Sequence, residues 1–214
     1  MLIFIYMAGR IYVTGGGSAE DTRLFDENFF DELTPGSKFV FVTTGYRGGK
    51  YERTAQQWMI DLLLMHKRPD LICQMVDDLA PIRSLAEYQA VYIGGGDAEL
   101  LMNEMDRTGF EFILERFNRH GGILYGGGSG GGTIMGRYID TTSEIHHQFR
   151  TGLNLIDKYS IRAHFRGDMD NGVAWRNWPA KHDSKLVCLP EDVGIVFKDG
   201  KIESFSSRRY KIYE

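Results

Sequence analysis

The chain has 214 residues, 43% hydrophobic, 13% aromatic and 25% charged, the mix of an ordinary globular protein rather than a disordered or fibrous one. Its length makes a single domain over 1–214 the expectation. With 25 Lys and Arg against 29 Asp and Glu the net charge is −4, and the basic residues are scattered, which argues against nucleic acid or an anionic membrane as a partner. The two cysteines, Cys73 and Cys188, are too few for a disulfide framework and have no metal-type spacing, so a reducing cytoplasm is the expected location.

The opening "MLIFIYM" is an apolar run of seven residues with no basic segment before it, which reads as a buried strand or a strand extension rather than a signal peptide or a membrane span. "RIYVT" (Arg10–Thr14) is the first clear strand. It is followed by a glycine corner, "GGGSAED", that fits neither dinucleotide nor P-loop spacing and is expected to be structural. In "AEDTRLFDENFFDEL", Phe25, Phe29 and Leu33 recur at i, i+4 and i+8, one apolar stripe of a helix that Pro35-Gly36 stops.

"KFVFVTT" (Lys38–Thr44), "LICQMV" (Leu71–Val76), "AVYIG" (Ala90–Gly94) and "GILY" (Gly122–Tyr125) continue the strands, short, apolar and β-branched. Helical segments alternate with them, among them Tyr51–Lys67 before Pro69 and Gly109–His120 before paired glycines. Strands apolar on both faces and joined by helical crossovers predict a three-layer α/β/α fold, with a mostly parallel sheet and helices on both faces. From Ser184 the pattern changes to "KLVCL", "VGIVF" and "KIESFSS", with Asp199-Gly200 as a hairpin turn, predicting an antiparallel C-terminal edge. The "SSRRYK" tail reads as a solvated edge strand.

Two glycine corners at strand ends carry the chemistry. "GGGSGGG" (Gly126–Gly132) contains Gly127, Gly128, Ser129, Gly130 and Gly131 in GxSxG spacing, the pattern of a nucleophile elbow. In such a turn the serine is expected at positive φ, with small residues around it and the N-terminus of the next helix facing any developing negative charge. "IGGGDAELL" is again strand, glycine corner and helix, positioned to supply a second backbone donor. A serine nucleophile needs a base. Of the six histidines, His164 in "IRAHFRGD" is the best placed, because it would emerge at the carboxyl end of a strand. "EIHH" (Glu144–His147) has no further ligand set, so no metal site is expected.

Taken with the closing "LPEDVGIVFKDGKI", these motifs make the chain resemble the peptidase E and cyanophycinase family of serine peptidases, which are similar to the class I glutamine amidotransferase fold. The matching elements are "IGGGDAELL", "GGSGG", "TTSE", "AHF" and "LPED". The resemblance implies Ser129 as nucleophile, His164 as general base, Gly95 and Gly130 as oxyanion donors, and either Glu191 of "LPED" or Glu144 of "TTSE" as the carboxylate that orients the base. It implies a small peptide as substrate, in a dipeptidase or exopeptidase reaction of which the aspartyl dipeptidase branch is one form, and no cofactor. A homodimer is compatible with it.

The chain departs from the family pattern at three places. Gly130 stands where an alanine usually follows the nucleophile, Gly96 replaces a common asparagine, and Asp140 precedes "TT" where the aspartyl branch is expected to carry an arginine. Arg162, Arg166 and Arg176 are the alternative cations for a substrate carboxylate, and Trp175 and Trp178 read either as a substrate wall or as packing. The competing expectation is a weak or inactive relative that binds a small molecule in the same pocket.

Overall fold

The computed structural model describes residues 9–140, 149–167, 175–205 and 209–214. The N-terminal apolar run before residue 9, the "TTSE" and "EIHH" motifs with Glu144, and residues 206–208 of the tail lie outside the described residues.

In chain order the first two thirds run β1 (Ile11–Thr14), α1 (Arg23–Asp31), β2 (Lys38–Val42), a single 3-10 turn (Thr44–Tyr46), α2 (Ala55–Met65), β3 (Ile72–Val76), β4 (Ala90–Ile93), α3 (Ala98–Thr108), α4 (Phe110–Arg119), β5 (Ile123–Gly126) and α5 (Gly128–Ile134). α1 begins well inside the segment that opens at Ala19, because side chains compete for the backbone there. Asp21 accepts from both the Ser18 amide and hydroxyl, at 2.8 and 2.7 Å, holding a local turn that delays α1 to Arg23. Gly109, at φ 67°, ends α3 in the left-handed conformation that a side chain resists, and α4 starts directly after it.

The main sheet has seven strands in the order β11-β10-β1-β5-β4-β2-β3. β1, β5, β4, β2 and β3 are mutually parallel. β10 (Gly194–Lys198) and β11 (Lys201–Ser204) form the expected antiparallel hairpin on the β1 side. Period-2 alternation splits the core into two chemically different layers. Tyr12, Phe39, Phe41, Tyr92 and Tyr125 face α1 and α2, where Phe25, Phe29 and Leu33 complete an aromatic-rich cluster. Val13, Val40, Val42, Val91 and Ile93 point the other way, against Leu101, Met105, Leu114 and Ile134 of α3, α4 and α5.

One strand departs from the expected edge. β9 (Lys185–Cys188) leaves the main sheet and pairs in parallel with β8 (Tyr159–Arg162), while β12 (Lys211–Tyr213) adds antiparallel to β9. β6 (Tyr138–Asp140) and β7 (Phe149–Thr151) form a short ladder. The small sheet has a core of its own, in which Trp175 and Trp178 are 5% and 3% exposed. These tryptophans are therefore packing residues, and Arg162 lies over the Trp175 ring at 4.9 Å. Among the described residues no helix is long and apolar enough to cross a membrane.

Candidate active site

Parallel α/β sheets bind ligands outside the carboxyl ends of their strands, where neighbouring connections leave in opposite directions. β2 and β4 are neighbours in the sheet. The chain leaving β2 enters α2 on the aromatic face, whereas the chain leaving β4 enters α3 on the aliphatic face. A crevice is thus built into the topology beside the β4 corner, and the β5 corner with Ser129 adjoins it.

After β5 the chain passes Gly127 in extended conformation, whose amide donates to the Ile93 carbonyl at 2.8 Å. The left-handed residue of the turn is Gly128, at φ 56°, and Ser129 is not among the non-glycine residues at positive φ. This corrects the expectation of a strained serine. Glycine takes the left-handed position without a Cβ clash, and Ser129 becomes the second residue of α5. A Cβ on Gly128 would also lie 2.7 Å from Gly95 Cα, so the two glycine corners pack backbone against backbone. The early amides of α5, those of Ser129 and Gly130 included, have no intrahelical acceptor and face outward at the positive end of the helix. Ser129 is partly exposed and Gly130 is buried.

The second corner holds a different pattern of donors from the one expected. The Gly95 amide donates to the Tyr46 hydroxyl at 3.0 Å, so this donor is already engaged. Asp97 caps α3, its Oδ1 accepting from the Glu99 and Leu100 amides at 2.8 and 3.0 Å, the usual use of aspartate before a helix. Tyr46 also lines a cavity of about 230 Å3 together with Arg47, Glu52 and Asp77. Burial raises its phenol above the ordinary pKa of 10.0, against the opposing pull of the Gly95 hydrogen bond.

His164 stands two residues beyond β8, where it adopts φ 51°. Non-glycine residues adopt that region at a cost and commonly at functional sites. The loop is stitched in place from both sides: the His164 amide donates to the Gly15 carbonyl at 2.8 Å, and the Phe165 amide to Leu189 at 3.0 Å. His164 Nδ1 meets Glu191 Oε1 at 2.8 Å. Both side chains are about half exposed, at 42% and 50%. With Nδ1 facing a carboxylate, Nε2 is left as the ring nitrogen able to accept a proton. Among the described residues, Glu191 is the carboxylate that reaches His164. α5 packs against both β1 and β8, which brings the serine helix alongside the strands that carry the histidine loop.

Two contributors escaped the sequence reading. Tyr46 follows β2 in "VTTGYRGG", and its one available signal was its place just after a strand's carboxyl end. The "GGGSAED" corner forms the floor of the histidine: a Cβ at Gly16 would lie 2.9 Å from His164 Nδ1 and 3.1 Å from Nε2. Neither cysteine competes with Ser129. Cys188 is buried, and burial pushes the Cys73 thiol up to about 12, leaving little thiolate at neutral pH. No cluster of His, Cys, Asp and Glu able to hold a metal is found among the described residues.

A serine on a glycine corner of the main sheet, with a carboxylate-bound histidine in the loop after β8 of the small sheet, is compatible with the layout of a serine hydrolase. The sequence model of peptidase family S51 matches residues 11–205. The chain belongs to that family, and it is a serine peptidase. Two solved structures share the fold. A candidate peptidase E protein from Listeria monocytogenes EGD-e is 18% identical with a TM-score of 0.66, the match covering 94% of this chain and 100% of that one. A peptidase from an acI-B1 Actinobacterium is 18% identical with a TM-score of 0.63, covering 97% of this chain and 94% of the other. None of the curated proteins matches this chain.

Proposed function

We propose that this peptidase cleaves small peptides, in a dipeptidase or exopeptidase manner, through an acyl-enzyme on Ser129. Ser129 Oγ attacks the scissile carbonyl carbon while its proton passes to His164 Nε2, and the carbonyl oxygen becomes an oxyanion facing the Gly130 amide at the head of α5. Collapse of the tetrahedral species breaks the C–N bond, and the imidazolium gives its proton to the leaving amine. Water then attacks the ester and loses a proton to His164, and that proton returns to Ser129 Oγ as the acyl C–O bond breaks. Glu191 orients the ring and stabilises its charged form. Glu144 is the other carboxylate that the family resemblance allows.

The observation that carries the reading is the 2.8 Å contact between His164 and Glu191, in a loop tied to Gly15 at the carboxyl end of β1, the neighbour of the β5 strand that leads to Ser129. Two free cysteines fit action in a reducing cytoplasm. The second reading, a relative that binds a small molecule without turning it over, is favoured by one feature: the left-handed position of the turn belongs to Gly128 rather than to Ser129.

Labelling with a fluorophosphonate probe separates the two. The hydrolase reading expects labelling of the intact protein that disappears in Ser129→Ala and His164→Ala. Labelling that survives Ser129→Ala sinks the nucleophile assignment, and an unlabelled intact protein leaves the binding reading. A panel of dipeptides with varied first residues then addresses specificity: aspartyl preference fails if Asp-Xaa peptides are cut no faster than Ala-Xaa.

A further inference from the structure

We infer that the Tyr46 hydroxyl, rather than the Gly95 amide, is the second oxyanion donor of this peptidase, an assignment that rests on the Ser129 reading above. The argument starts from the engaged donor. A backbone amide stabilises an oxyanion only if it is free to turn its hydrogen toward it, and the Gly95 amide gives its hydrogen to Tyr46 Oη at 3.0 Å. A phenol that accepts one hydrogen bond still has a proton to donate. Among the described residues no group accepts that proton. Accepting from Gly95 polarises the O–H bond and strengthens it as a donor.

Position favours the same conclusion. Tyr46 follows β2 and lies beside the corner after β4, in the crevice between two neighbouring strands whose helices leave on opposite faces. A Cβ on Gly94 would lie 3.0 Å from Tyr46 Oη, and one on Gly95 would lie 3.0 Å from Gly128 Cα and 3.4 Å from the Ser129 nitrogen. The hydroxyl is therefore separated from the serine turn by little more than one glycine backbone. The ring is held by edge contacts with Phe41 and Tyr51, their centroids 6.3 and 6.0 Å away, which limits the reorganisation needed when charge develops. Its raised pKa keeps the phenol protonated at neutral pH. The donor works as an intact O–H, and no proton changes hands.

The test is Tyr46→Phe, with Tyr51→Phe as a neighbour outside the site and thermal melting to confirm folding of both. Reaction is followed by fluorophosphonate labelling and by hydrolysis of the best dipeptide of the panel. Loss of one oxyanion donor lowers kcat by roughly 10²-fold or more, with KM little changed. Affinity for a peptide boronic acid, whose serine adduct mimics the tetrahedral species, should fall in parallel with kcat/KM, a correlation that a merely structural role would not produce. Unchanged kcat and boronate affinity in Tyr46→Phe overturn the assignment while the Ser129 reading stands. A faster Tyr46→Phe enzyme overturns it too, because the freed Gly95 amide would then be the donor. An intact protein that neither labels nor hydrolyses refutes the Ser129 reading, and this inference falls with it.

Discussion

Gly16→Ala tests the proposed histidine through a residue that takes no part in the chemistry. Gly16 sits at φ 110°, and a methyl there would come within 2.9 Å of His164 Nδ1 and 3.1 Å of Nε2, closer still to Cε1. Ordinary non-bonded separation is about 3.5–4 Å, so the ring has to give by roughly 1–1.5 Å at Cε1, which lies 2.4 Å from the methyl. That movement strains the 2.8 Å contact with Glu191 and shifts Nε2 from its place. A misplacement of about 1 Å in a reacting group costs roughly 10²-fold in rate. The backbone adds strain of about 1–3 kcal/mol, which at roughly 2–4 °C per kcal/mol for a chain of this size lowers Tm by several degrees without unfolding the protein. Gly36→Ala supplies the control, since φ there is 75° but nothing lies within 4 Å of the new methyl. It should lose stability alone. The assay is the rate of fluorophosphonate labelling in both variants, at a temperature well below either Tm. Gly16→Ala labelling at the Gly36→Ala rate, to within about three-fold against the roughly 10²-fold expected, would refute the placement of the catalytic base over this corner.

Two further outcomes are expected. Glu191→Gln should lower kcat by several hundred-fold, less than the roughly 10⁴-fold known for a buried triad carboxylate, because Glu191 is half exposed and its amide replacement can turn to offer its carbonyl; an unaffected Glu191→Gln enzyme, set beside a disabled Glu144→Gln, would move the orienting role to Glu144. Asp26 is almost wholly buried, accepts from Tyr125 and Thr22, and is pushed by burial from 3.8 up to about 6. The folded chain thus holds this proton more tightly than the unfolded chain. The resulting stability is complete below pH 3.8 and is lost as pH rises to about 6, a change on the order of 2–3 kcal/mol. Urea midpoints measured from pH 4 to 7 should fall less steeply in Asp26→Asn than in the parent, and equal slopes would show that another group titrates.

The fold was largely legible in the sequence because its signals are local. Phe25, Phe29 and Leu33 share one helical face, and "KFVFV" alternates aromatic and β-branched residues that the sheet sends to opposite layers. The glycine corners and the candidate residues Ser129 and His164 also sit in short local motifs, whereas the two candidate carboxylates came from the family resemblance alone. Local signals also misled. The GxSxG spacing implied a strained serine, but with glycine at both 127 and 128 the chain places the left-handed residue one position earlier. "KLVCL" looks like a strand of the closing edge, yet it pairs with β8 because β-propensity says nothing about which neighbour a strand finds.

By itself, then, the sequence determined the order of strands and helices, the aromatic and aliphatic stripes and the identity of the candidate nucleophile and base, all of which depend on residues close together along the chain. Only the tertiary structure decided which groups meet. Glu191 reaches His164 across 27 positions, Gly16 lies under a ring that stands far along the chain from it, and Tyr46 takes the Gly95 amide from a neighbouring strand's loop across 49. Contacts of that separation are set by strand order and by the close approach of backbones at glycines, and neither is written in the spacing of any one motif.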